Sequence, residues 1–198
     1  NAYTGGIIGY NGSKENKKFN KVKNSGAISF TGVAGRVPFG GLIGATFNGV
    51  TLTNCSNEGN LTYENKDGSR NANYFWLGGL VGVCYSASTT GADIAATQTI
   101  TATTCSNSGT LTIKNSTFNT DMILGGIVAG SIWRDGNKYM SNYILTDCTN
   151  SGDLVATEAM AGSHNHVGGI LGSGYSNTAL QVTIKKPVVS GDITFTHA

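Results

Sequence analysis

The chain has 198 residues, room for one domain with a real core, yet only 12 % are charged and 29 are glycine. The net charge of +2 carries no basic block beyond the scattered lysines from Lys14 to Lys23, which read as a solvated face. These numbers argue against a disordered polyelectrolyte and a nucleic-acid groove, and no apolar run is long enough for a membrane span.

Two short phrases alternate along the chain. The first is "TGGIIG" at Thr4, and the second is "VKNSGAISF" from Val22. They return as "FGGLIG" at Phe39 and "CSNEGNLTY" from Cys55, then as "LGGLVG" at Leu77 and "CSNSGTLTI" from Cys105. The fourth pair is "LGGIVAG" at Leu124 with "CTNSGDLVA" from Cys148, and the fifth is "VGGILG" at Val167 with "PVVSGDITF" from Pro187. Spacing varies between the phrases and not within them, which places loops there. The segments "GADIAAT" from Gly91 and "LVATEAMA" from Leu154 have some helical propensity, enough for a turn or two.

Aligned on Gly26, Gly59, Gly109, Gly152 and Gly191, the second phrase alternates as a strand does. Ile28, Leu61, Leu111, Leu154 and Ile193 face in, as do Phe30, Tyr63, Ile113, Ala156 and Phe195. Ser29, Thr62, Thr112, Val155 and Thr194 lie between and face out. A unit this short cannot bury its apolar face alone, whereas stacked copies bury it against each other. The expected fold is all-β: a single repeat β-solenoid over residues 1–198, parallel β-helix-like, with about five rungs and long loops on the middle ones.

In such a stack every aligned position becomes a column with roughly 4.8 Å between rungs. Asn24, Asn57, Asn107 and Asn150 should form an amide ladder, broken by Val189 in the fifth copy. The glycine two residues later is expected to take positive φ at the same turn. In the GG phrase two adjacent apolar residues follow the glycines, so the chain either turns a corner there or runs as a strand covered on both faces.

The GG phrase resembles the GLUG-type repeats of bacterial surface and secreted proteins, including the non-catalytic repeat regions of IgA-cleaving metallopeptidases. The resemblance covers all five copies and implies an extracellular or cell-surface role in adhesion or as a spacer. It carries no catalytic residues, and the sequence has no HExxH pair.

Candidate chemistry is sparse. Cys55, Cys105 and Cys148 share one column and read as small buried hydrophobes, since metal sites want CxxC pairs or nearby histidines. His164 and His166 form an H-x-H that supplies two nitrogens and no more. The eleven acidic residues show no paired spacing, and there is no nucleophile elbow or phosphate loop. No cofactor, no metal and no catalytic residue are therefore expected. The pairs Thr51/Thr53 and Thr101/Thr103 should stack, flanked by Ile144/Thr146 and Lys18/Asn20, an array too interrupted to need a ligand. Long insertions on consecutive rungs would gather Tyr85, Trp133, Arg134, Asp135, Tyr139 and Tyr143 into one patch. Aromatics and an arginine on loops can hold a glycan or a protein, which makes a carbohydrate-binding or carbohydrate-active domain the alternative reading. The main expectation is a non-enzymatic module for structure or adhesion. Its terminal half-rungs complete one another, so the chain reads either as part of a longer array or as a unit stacking head-to-tail into filaments.

Overall fold

A computed structural model describes residues 2–13, 15–32, 36–64, 74–85, 98–114, 121–131, 141–157, 165–174 and 181–196. The described residues contain no helix; their 25 strands form five parallel sheets of five strands each. Each pass of the chain adds one strand to every sheet. The second rung shows the order: Arg36–Gly40 in sheet 1, Ile43–Phe47 in sheet 2, Val50–Thr53 in sheet 3, Ser56–Asn57 in sheet 4 and Leu61–Glu64 in sheet 5. The architecture is a β-solenoid of five rungs. Of the two segments with helical propensity, Leu154–Ala156 is a strand of sheet 5, while 91–97 and 158–161 lie outside the described residues.

Register follows the phrases. Gly5, Gly40, Gly78, Gly125 and Gly168 are consecutive partners in sheet 1. Ile28, Leu61, Leu111, Leu154 and Ile193 are consecutive partners in sheet 5. A one-residue slip would turn every inward side chain outward, so the buried face itself holds this register.

The five sheets pack as four layers, in the order 5, 1, 2, 3, with the short sheet 4 closing one end. Three apolar clusters fill the three gaps. Val37, Phe39, Phe75, Leu77, Met122 and Leu124 of sheet 1 meet Leu61, Tyr63, Leu111, Ile113, Leu154 and Ala156 of sheet 5. On its other face sheet 1 sends Tyr74, Trp76 and Ile123 against Ala45, Val83 and Ala129 of sheet 2. The opposite face of sheet 2, with Ile43, Val81 and Val128, packs on Val50, Leu52, Ile100, Ala102, Tyr143 and Leu145 of sheet 3.

The GG phrase is therefore both of the things its sequence allowed. Gly40–Gly41 and their equivalents turn the corner between sheets 1 and 2, and both of those sheets are covered on two faces. In Tyr74–Gly78 every residue is buried. Strands between two apolar layers need not alternate, which is why these segments read as continuous apolar runs.

Sheets 1 and 2 thus form a finger inserted between sheets 3 and 5, with the GG corner at its tip. The tip meets the asparagine column. A Cβ on Gly79 would collide with the Gly126 carbonyl oxygen and lie 2.7 Å from Cβ and Cγ of Asn107. A Cβ on Gly126 would likewise meet the Gly169 carbonyl and Asn150. The second glycine exists so that backbone can lie directly on the amide ladder.

The repeat glycines play another part than the sequence suggested. Among the described glycines only Gly32, Gly49 and Gly130 have positive φ, so Gly59, Gly109, Gly152 and Gly191 do not. A Cβ on any of these four would strike the carbonyl of the repeat glycine in the preceding rung. Close approach, rather than a left-handed turn, excludes a side chain there. The left-handed position lies earlier, just before the cysteine column: Lys21, Asn54, Thr104, Asp147 and Lys186 have φ of 57°, 52°, 53°, 52° and 48°. This residue turns the chain from sheet 3 into sheet 4.

Candidate functional site

Sheet 4 has only two residues per strand, so its inward asparagine can do little but address the next rung. Asn24 Nδ2 donates to Asn57 Oδ1 at 2.7 Å, Asn57 Nδ2 to Asn107 Oδ1 at 2.8 Å, and Asn107 Nδ2 to Asn150 Oδ1 at 2.8 Å. Each amide also donates to a carbonyl two residues on, from Gly26 to Gly152, at 2.8–2.9 Å. Asn57, Asn107 and Asn150 are fully buried. The ladder has a direction: every donor points toward the C-terminal rung. It stops at Val189, which pairs with Asn150 through the backbone register and offers no acceptor.

Beside the ladder, Cys55, Cys105 and Cys148 are buried free thiols on the apolar cluster between sheets 2 and 3. Val22 packs on the same cluster at the equivalent position. Burial pushes the Cys105 thiol up to about 12 and raises that of Cys148. Cys84 sits in sheet 2, also fully buried, and desolvation takes its thiol up to about 11. Burial of this kind favours the protonated thiol and keeps its thiolate fraction low at neutral pH. Among the described residues no three His, Cys, Asp or Glu side chains are grouped to hold a metal. His166 lies in sheet 1; His164 lies outside the described residues.

The loop patch is placed only in part. Trp133, Arg134, Asp135 and Tyr139 lie outside the described residues, and Tyr85 is placed as the last residue of its sheet 2 strand. Tyr143 is not on a loop. It lies within the sheet 3 strand Asn142–Thr146 and is fully buried between sheets 2 and 3, out of reach of any external ligand. Its phenol is raised well above the ordinary tyrosine range by desolvation. Sequence alternation could have placed it, since Tyr143 falls in the inward column of Val50 and Ile100.

Among the described residues the most exposed apolar surface is the fifth rung. Val182, Ile184, Val188, Val189, Ile193 and Phe195 are 37–53 % exposed, whereas their partners one rung below in the inward columns, Leu145 and Leu154, are fully buried. Each fifth-rung strand has a neighbour on one side only, as does each strand of the first rung. At that opposite face Ile7 and Tyr10 are the exposed apolar residues, joined by the half-buried Phe19, Ile28 and Phe30. In comparisons with known proteins the chain matches no family model, no curated protein and no solved structure.

Proposed function

We propose that the protein is a non-enzymatic structural module of a bacterial cell-surface or secreted protein, whose rungs extend end to end into a longer stiff stack that serves adhesion or spacing. The observation that carries this reading is the open fifth rung. Six apolar side chains there are exposed, and among the described residues each of its strands has a neighbour on one side only, in the register that four internal junctions already use. Unpaired strand edges backed by apolar columns are templates for strand addition.

The interior supports the same reading. The buried amides bond to one another and to backbone, and the thiols are buried against the apolar core, so both serve shape. The GLUG-like phrases support an extracellular or surface location, because that is where such repeats belong in the proteins they resemble.

The test is the size of the chain in solution across a concentration series, with electron microscopy of the largest species. Rod-shaped oligomers that lengthen with concentration, with a repeat matching five rungs, are expected. A monomer under every condition would refute end-to-end extension. Turnover of a polysaccharide would refute the non-enzymatic part.

A further inference from the structure

We infer that the solenoid binds internal water between its third and fourth rungs, held by Tyr143, Ser141 and Gln98. The site lies between sheets 2 and 3, at the end of the gap away from the asparagine ladder. The register gathers its side chains. Gln98 and Ser141 each stand just before a strand of sheet 3, Thr99–Thr103 and Asn142–Thr146. Thr99 pairs with Asn142, so the two are equivalents one rung apart, and Asn142 N donates to the Gln98 carbonyl at 2.8 Å. They share the inward phase of Ile100 and Tyr143, which lie two residues further on in the apolar cluster. Sheet 2 brings polar groups to the same place. Thr46 pairs with Cys84, and Ser131 follows Val128 at the same offset as Cys84 follows its partner Val81. Gln98, Ser141, Tyr143, Thr46, Cys84 and Ser131 are each at most 1 % exposed.

In the second rung this corner closes on protein groups alone. Thr46 Oγ1 accepts from Asn11 Nδ2 at 3.0 Å and donates to the Gly49 carbonyl at 3.0 Å, across a turn in which Asn48 and Gly49 have φ of 61° and 85°. The third and fourth rungs differ. Ser131 and Ser141 lie beside the Tyr143 phenol, and Ser141 lies beside the Cys84 thiol. None of these approaches has hydrogen-bond geometry at Tyr143 Oη or Ser141 Oγ, and Gln98 Oε1 finds no partner among the described residues either. Native proteins pair nearly all such buried atoms, with protein or with ordered water. Gln98 Oε1 can only accept, whereas the two hydroxyls donate and accept, so the guest must do both. None of the six side chains is charged at neutral pH, which would leave an ion without a counter-charge. Their burial encloses the site, so the guest is small. Water meets each condition and finds the two to four polar partners an internal water takes. Sheet 3 is then tied across rungs at both ends: by buried amides where it leads into sheet 4, and by water where the chain enters it.

The experiment is magnetic relaxation dispersion of water oxygen on the 198-residue chain, which counts waters held far longer than those of the surface. Tyr143→Phe, Ser141→Ala and the double variant are run beside it. Each substitution deletes one oxygen and leaves the apolar packing in place. The wild type is expected to hold at least one long-lived water that the double variant loses, and each single variant should shorten its residence. Urea midpoints supply the sign. Deleting a hydroxyl that bonds the water strands the other groups and lowers the midpoint, whereas deleting an unpaired buried hydroxyl raises it. Loss of the long-lived water together with lowered midpoints supports the site. Dispersion that is the same in the wild type and the double variant overturns it, whatever the midpoints do: raised ones then mean unpaired oxygens, and lowered ones mean bonds to protein. Should the double variant not fold, unchanged dispersion in both single variants overturns it equally. These outcomes are separate from end-to-end extension, because the site lies between two internal rungs.

Discussion

At the scale of single residues, polar groups are used to fix position. Asn107 accepts from Asn57 and donates to Asn150 and Gly109, with no access to water. Asn107→Leu removes these bonds, leaving Asn57 Nδ2 with only its bond to the Gly59 carbonyl and Asn150 Oδ1 without its ladder donor, at a cost of about 1–3 kcal/mol. Urea unfolding reads this as a lowered midpoint; an unchanged midpoint would mean that the ladder contributes nothing to stability. Thr104 presents the opposite case. It is an exposed β-branched residue held at φ 53°, a conformation that costs an ordinary residue about 1–2 kcal/mol. Asparagine serves the same corner at Asn54, so Thr104→Asn should raise stability by about 1 kcal/mol.

The thiols make a prediction about pH. Burial pushes the folded Cys105 and Cys84 thiols up to about 12 and about 11, whereas the unfolded thiols release their protons near the ordinary value of 9.0. Above that value the unfolded chain binds fewer protons than the folded one, so stability falls as pH rises from about 9 toward the folded values. The unfolding midpoint should decline between pH 9 and 11. Cys105→Val, which copies Val22 of the first rung, should decline less steeply.

At the scale of the element, the two glycine phrases have separate duties, and single substitutions tell them apart. Gly79→Ala drives a methyl into the Gly126 carbonyl and the side chain of Asn107, where nothing can move aside. Loss of about 3 kcal/mol or more is expected, or failure to fold. At Gly26, on the open first rung, a Cβ would meet only Asn24 Oδ1 at 3.8 Å. Gly26→Ala should change the midpoint little, and equal damage at both sites would contradict the finger-and-ladder packing.

Much of this was legible in the sequence because the phrases carry their own register. The columns of Leu61, Tyr63 and Asn57 can be read by alignment on the glycines alone, and the sheets pair as that alignment requires. The inner finger was less legible. "YFWLGGLVG" has no alternation, and a continuous apolar run states burial without stating which layers do the burying. The left-handed corner was hidden because Lys, Asn, Thr, Asp and Lys fill it in place of glycine. The repeat glycines drew the eye to a position whose real constraint is a neighbouring carbonyl. As for the loop patch, alternation alone would have moved Tyr143 into the core.

At the scale of the whole molecule, stability should be graded along the axis, because each rung rests only on its neighbours. The middle rung, with Asn107 and Ile113, is covered on both sides, while the fifth has a neighbour on one side only. The central claim of the proposed function is that this fifth rung is a face on which a further rung stacks. Amide hydrogen exchange of residues 181–196 tests it most directly, followed against 98–114 of the middle rung, at low and high protein concentration. The account predicts fast exchange of 181–196 in dilute protein, slowing as concentration rises, while 98–114 stays protected throughout. Exchange of 181–196 that stays fast at every concentration, or is already as slow as that of 98–114 in the dilute monomer, would contradict it.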